Sequence, residues 1–188
     1  MSDGINIFKV VALATDLHSG QYRKHAIEGY QLPYVFHAFD VSKRIWRWGI
    51  SNPIIQYAAM LHDTIEDTLD EEHADDARLR IEALAGIDVL NLVEELTCYG
   101  DKIEYMSSFK DKSLDAVIIK VADRLCNVED FIQSSPDYAE KYFNKAKNVF
   151  DTFLLRGEDI ISTFSESIYI NISADITSVY GLVLTEKE

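Results

Sequence analysis

Ala58-Ala59-Met60-Leu61-His62-Asp63-Thr64-Ile65-Glu66-Asp67-Thr68 joins an apolar run to a His-Asp doublet and then to a Glu-Asp doublet. Read as helix, the stretch sets His62 and Glu66 four apart, Asp63 and Asp67 four apart, and Asp63 and Glu66 three apart, so all four reach one neighbourhood. Four polar groups following an apolar helix are costly without a purpose. The arrangement suits a metal site with acid/base groups beside it.

Upstream, Ser51-Asn52-Pro53 starts this helix, with Ser51 or Asn52 as cap and Pro53 in the first turn, where a missing N–H costs nothing. Before it, apolar spacing after an Asn6 cap predicts a helix from Ile7 to about His18, ended by Ser19-Gly20. Gln21 to Pro33 reads as a loop, and Tyr34 to His37 lead into a helix through Val41, Ile45 and Trp48 that Gly49 stops. Downstream, the acids from Asp70 to Asp76 read as a solvated acidic loop. Two short helices follow, Ala77 to Leu84 and Asp88 to Thr97, parted by Gly86. Tyr99 to Lys112 reads as a loop or short helix. Ser113 caps a strong helix whose Leu114, Val117, Ile118, Val121, Ala122, Leu125 and Val128 mark a buried face. Ser135-Pro136-Asp137 opens another, which Gly157 ends. In the tail, Ile160, Ile161, Phe164, Ile168, Ile172, Ile176 and Val179 recur at three to four residues and predict helix, against a β-branched content that favours strand. No repeat or linker divides residues 1–188, so the expectation is one all-α domain with a motif-bearing core over about 5–156 and a tail, 157–188, without an assigned role.

Composition narrows the partners. Only three prolines and eight glycines punctuate the chain, which favours long helices. A net charge of -14 argues against a nucleic-acid partner, because phosphate-backbone affinity needs a broad basic surface. From His18 to Trp48, however, Arg23, Lys24, Lys43, Arg44 and Arg47 outnumber Glu28 and Asp40, a local basic patch that suits a small anionic ligand. Cys98 and Cys126 form neither a disulfide framework nor a CxxC pair. The N-terminus lacks the pattern of a secretory signal, and no uninterrupted apolar run approaches the roughly 18 to 20 residues of a membrane span. The expectation is a cytoplasmic protein with no membrane partner.

A hydrolytic cation site needs imidazole and oxygen ligands with open positions for water and substrate. His62 and Asp63 are adjacent, so further ligands come from elsewhere in the chain. Asp123, a carboxylate in the apolar helix around Lys120-Val121-Ala122-Asp123-Arg124-Leu125-Cys126-Asn127, is the best donor, and His37 the best second imidazole. On residue type alone, His37 also reads as structural and Asp123 as a salt bridge to Arg124.

Three blocks resemble the HD-domain metal phosphohydrolases, and within them the hydrolase domain of RelA/SpoT proteins and the small metazoan SpoT homologues. His18-Ser19-Gly20-Gln21-Tyr22-Arg23-Lys24 with Pro33-Tyr34-Val35-Phe36-His37 is similar to the opening motif, Ala58 to Thr68 to the His-Asp and Glu-Asp motif, and Lys120 to Asn127 to the third block. The resemblance implies an HD-domain helical bundle in which His37, His62, Asp63 and Asp123 bind one divalent ion, typically manganese. It implies Glu66 and Asp67 as the catalytic pair, and Arg23, Lys24 and Asn127 as substrate-binding residues.

Three departures stand out. Ala38 follows His37 where the family usually has Pro, the loop from His25 to Leu32 is longer than in the bacterial bifunctional enzymes, and the segment between Thr97 and Ser113 is abbreviated. With no room for a synthetase domain, the resemblance implies a stand-alone alarmone hydrolase acting on a small nucleotide: removal of the 3′-diphosphate of guanosine 3′,5′-bis(diphosphate) or its pentaphosphate, giving pyrophosphate and GDP or GTP. The alternatives are another HD nucleotide phosphohydrolase, acting on dNTPs, nucleoside monophosphates or the 2′-phosphate of NADPH, and a catalytically silent nucleotide-binding regulator.

Overall fold

The computed structural model describes residues 6–23, 31–67 and 70–185. Among them the chain forms α1 (Ile7–Leu17), α2 (Val35–Arg47), α3 (Pro53–Leu61), α4 (Glu71–Ala85), α5 (Ile87–Leu96), α6 (Lys102–Ser108), α7 (Leu114–Ser134), α8 (Pro136–Leu155), α9 (Gly157–Thr163) and α10 (Glu166–Thr185). The described residues contain no strand, only an isolated antiparallel bridge between Tyr22 and Pro33. The fold is all-α. Lys24, most of the His25–Leu32 loop, and Thr68 and Leu69 lie outside the described residues.

Local chemistry sets most helix starts. Asn6 accepts from Phe8 N–H, Asn52 from Ile54 N–H and Ser113 from Ala116 N–H, at 2.9, 2.9 and 3.1 Å. Gly49, at φ +100°, stops α2 in a backbone conformation that favours glycine. Gly157 is fixed instead by close approach, since a Cβ there would meet the Tyr169 ring at 3.0 Å.

Two expectations are corrected. The acids after Asp70 are not a loop: the Asp70 carboxylate caps α4 by accepting from His73 N–H at 3.0 Å, and Glu71 and Glu72 complement the positive N-terminal end. Ala74, Ala77, Ile81 and Ala85 recur at helical spacing and are buried, while the acids face solvent. Charge density masked a short apolar stripe. The second correction concerns the opening stretch. Regular helix stops at Leu61, and residues 62–67 run as tight turns, in which the Thr64 hydroxyl and N–H both donate to Leu61 O, at 2.6 and 3.0 Å.

One hydrophobic core runs from Val10 to Val183. Helix α7 is its axis, in contact with α2, α3, α5, α8 and α10, and α3 buries nearly its whole circumference from Ile55 to Leu61. The tail is helical, as the apolar spacing predicts, and α10 seats Ile172, Ile176, Val179 and Val183 against the core. Two polar ties reach the end of α2: Trp48 Nε1 donates to Asp175 at 2.8 Å, and Asn171 donates to Trp48 O at 3.1 Å. Over Glu166–Leu184 this helix also has the length and the mean hydropathy, 1.3, of a membrane span, a property that counting uninterrupted apolar runs misses.

Candidate metal centre

His37 on α2, His62 at the end of α3, Asp63 one residue later and Asp123 on α7 converge, each offering a ligand atom within 4.8 Å of the others. All four are buried. The apolar faces of the three helices draw them together, so the polar cluster is set inside a hydrophobic shell. His62 Nε2 lies 2.9 Å from Asp63 Oδ2 and 3.8 Å from Asp123 Oδ1. His37 Nε2 lies 3.2 Å from Asp123 Oδ1 and 3.9 Å from Asp63 Oδ2.

The surroundings point each donor inward. His62 Nδ1 donates to Ala59 O at 2.9 Å, which leaves Nε2 for the centre, and Nε2 has no hydrogen-bond partner of good geometry among the described residues. Asp123 divides its oxygens: Oδ1 faces the imidazoles and accepts from Asn127 at 2.6 Å, while Oδ2 lies 3.0 Å from Lys120 Nζ and 3.5 Å from Arg124 Nε. Burial alone would raise the Asp123 pKa, but Lys120 and Arg124 hold it well below the carboxylate range. Burial lowers His37, keeping it neutral. His62 resists the same burial because the Asp63 and Asp123 carboxylates push it up to about 10. Two imidazoles and two carboxylates, all turned toward one centre, fit a divalent ion.

The cluster opens through Asp63 and Asp123 onto a cavity of about 540 Å³ lined also by Glu66, Asp67, Arg23, Asn127, Lys102, Lys120, Arg124 and Phe131. The turns, not a continuous helix, carry Glu66 and Asp67 to its wall, with Asp67 N–H donating to Asp63 O at 2.9 Å. Cys98 N–H holds Glu66 Oε2 at 3.1 Å. Lost hydration, together with the Asp63 and Glu66 charges, pushes the Asp67 carboxyl up to about 6. Arg23 lies across the Tyr34 ring, 5.5 Å from its centroid, and pairs with Asn127 at 2.7 Å and Asp130 at 2.5 Å. Lys24 cannot be placed, since it lies outside the described residues.

Several residues that line this site had no role in the reading of the sequence. Lys120, three residues before Asp123 on the same helix, is recoverable from that spacing. Tyr34, whose hydroxyl donates to Asp63 Oδ2 at 2.6 Å, and Gln21, whose amide donates to Asp67 O at 2.7 Å, sit inside the opening motif without any spacing that betrays those bonds.

No protein-family model matches the chain. Named proteins do. The chain is 30% identical over 162 residues to the Xenopus tropicalis guanosine-3′,5′-bis(diphosphate) 3′-pyrophosphohydrolase MESH1, covering 79% of this chain and 84% of that one. The Drosophila melanogaster protein of the same name is 34% identical over 154 residues, covering 74% and 79%. A solved structure described as a metazoan ortholog of SpoT that hydrolyzes ppGpp and plays a role in starvation responses superposes with a TM-score of 0.69 at 27% identity, over 93% of this chain and 95% of that one.

Proposed function

This chain belongs to the family of guanosine-3′,5′-bis(diphosphate) 3′-pyrophosphohydrolases of the MESH1 type, and from that premise we propose that it removes the 3′-diphosphate of guanosine 3′,5′-bis(diphosphate) and of the pentaphosphate. One observation carries the proposal: a buried His37, His62, Asp63 and Asp123 cluster opens onto a cavity with acids, Glu66 and Asp67, and cations, Lys102, Lys120 and Arg124, among its lining residues. A divalent ion, with manganese as our choice, supplies Lewis-acid charge to phosphoryl oxygens and acidifies water when held by those four side chains.

The chain's own groups supply the rest. In the reaction, water oxygen adds to the phosphorus on ribose O3′, the O3′–P bond breaks, pyrophosphate departs and O3′ gains a proton. Asp67, with a carboxyl near 6, is matched to take the proton from water at neutral pH. Glu66, held by Cys98 N–H, orients the water or the reacting phosphate from the same wall. Lys120 and Arg124 face developing negative charge on the departing diphosphate. Arg23 is paired with Asn127, and the two act together on the nucleoside, with Phe131 lining the same cavity. Lys24 completes the substrate set by resemblance to the family motif. One domain over 1–188, a cytoplasmic setting, and a small nucleotide in place of nucleic acid or membrane belong to the same reading, supported by two free cysteines and the net charge of -14.

Product analysis tests it. Purified protein with manganese should release pyrophosphate and GDP from the tetraphosphate alarmone. Phosphate release confined to a dNTP, a nucleoside monophosphate or NADPH would move the assignment to another nucleotide phosphohydrolase, and binding without release would make the chain a regulator.

A further inference from the structure

The catalytic turn is gripped at both ends by residues outside the ligand and acid/base sets. We infer that Tyr34 and Gln21 are positioning residues that clamp the turn from Asp63 to Asp67, Tyr34 on the Asp63 carboxylate and Gln21 on the Asp67 carbonyl. The inference rests on the reading of the site given above and deepens it.

Backbone pairing brings the two clamps together. Arg23 N–H donates to Leu32 O at 2.9 Å and Tyr34 N–H to Gln21 O at 3.0 Å, around the Tyr22–Pro33 bridge. Residues far apart in sequence thus leave this bridge side by side, facing the turn. The Tyr34 hydroxyl donates at 2.6 Å to Asp63 Oδ2, the oxygen that lies 2.9 Å from His62 Nε2. Its ring is held on three sides, by His18 at 4.8 Å, by His37 at 5.6 Å and by the Arg23 guanidinium. A phenol so packed has one orientation, and through it so does the Asp63 carboxylate.

Gln21 is fixed with equal economy. Its Nε2 donates to Asp67 O at 2.7 Å, so Oε1 is the acceptor that faces His18 Nδ1 at 2.6 Å, and that ring nitrogen must carry the hydrogen. His18 is itself buried. The chain His18 to Gln21 to Asp67 therefore sets the backbone on which the Asp67 carboxylate is mounted. Because the clamps grip different ends, they have separable effects: Tyr34 governs how well the ligand set is pre-arranged, and Gln21 governs where the acid/base group stands.

The test uses Tyr34→Phe and Gln21→Met in the full chain, with manganese affinity read by calorimetric titration in the absence of nucleotide, and kcat and KM for the tetraphosphate alarmone at saturating manganese. Loss of the Tyr34 hydroxyl should weaken manganese binding about 10- to 100-fold. Gln21→Met should leave that affinity within about twofold, leave KM in place and lower kcat on the order of 10- to 100-fold, the cost of a catalytic group misplaced by about an ångström. Should Gln21→Met lower the melting temperature sharply, Gln21→Glu, which keeps an acceptor for His18 and removes the donor to Asp67, is expected to give the same loss in kcat. Parent-like manganese affinity for Tyr34→Phe, or parent-like kcat for both Gln21 variants, would overturn the clamp. If the unsubstituted chain binds manganese yet spares the alarmone, the substrate assignment fails, and the Tyr34→Phe titration still decides the clamp.

Discussion

His62 and Asp63 differ from Glu66 and Asp67, a few residues away on the same turns, in what their surroundings leave them free to do. The first pair is buried, and its ligand atoms are aimed by Ala59 O and the Tyr34 hydroxyl. The second pair lines an open cavity, held by Cys98 N–H and, through the Asp67 backbone, by Gln21. One end of the segment is committed to neighbouring protein groups and the other to what enters from solvent. A burial gradient along six residues thus divides binding a cation from handling protons.

That division can be broken most severely at the buried end. His62→Ala should abolish both manganese binding and turnover, because it leaves Asp63 and Asp123 facing each other without the imidazole between them. Chelation of the intact protein should do the same reversibly, with activity restored by manganese. At the open end, Asp67→Ala or Glu66→Ala should cost about 10²- to 10⁴-fold in kcat while metal affinity stays, since general acid/base groups contribute on that scale. Full activity in both variants would sink the proposed division.

The pH profile sharpens the same contrast. A carboxyl raised to about 6 is a carboxylate above that pH and carries its proton below it. Turnover should therefore fall as pH drops through about 6, following the deprotonated fraction of Asp67, and Asp67→Asn should remove this acid limb. Arg23→Ala should act more mildly, raising KM roughly tenfold through loss of charge-assisted contact while kcat changes little. The smallest effect on turnover is expected far from the turn: Ile172→Ala on α10 should leave kcat unchanged and lower stability by about 2–5 kcal/mol, read from denaturant midpoints.

Helix periodicity made α1, α2, α3, α7 and α8 legible, because each shows an apolar stripe, and all but α2 add a cap or proline at the start. It failed at Asp70 to Asp76, where the apolar positions Ala74 and Ala77 are small and the acids dominate the composition. It also failed at residues 62–67, where helical spacing named the right neighbourhood through the wrong backbone. There the Thr64 hydroxyl and N–H share Leu61 O within the turns, bonds that no periodic signal records.

What the sequence determined by itself was the inventory: an all-α chain, two imidazoles and two carboxylates suited to a cation, an acidic pair beside them, and a resemblance that joined the three blocks. Those properties are local, carried by residue type and spacing. Tertiary structure alone decided that His37 and Asp123 meet across 86 positions, that Lys120 and Arg124 lower one carboxylate while Asp63 and Glu66 raise another, and that Tyr34 and Gln21 grip the turn. The reason is physical: a pKa and a hydrogen bond depend on which groups burial brings within a few ångströms, and that is set by how the helices pack.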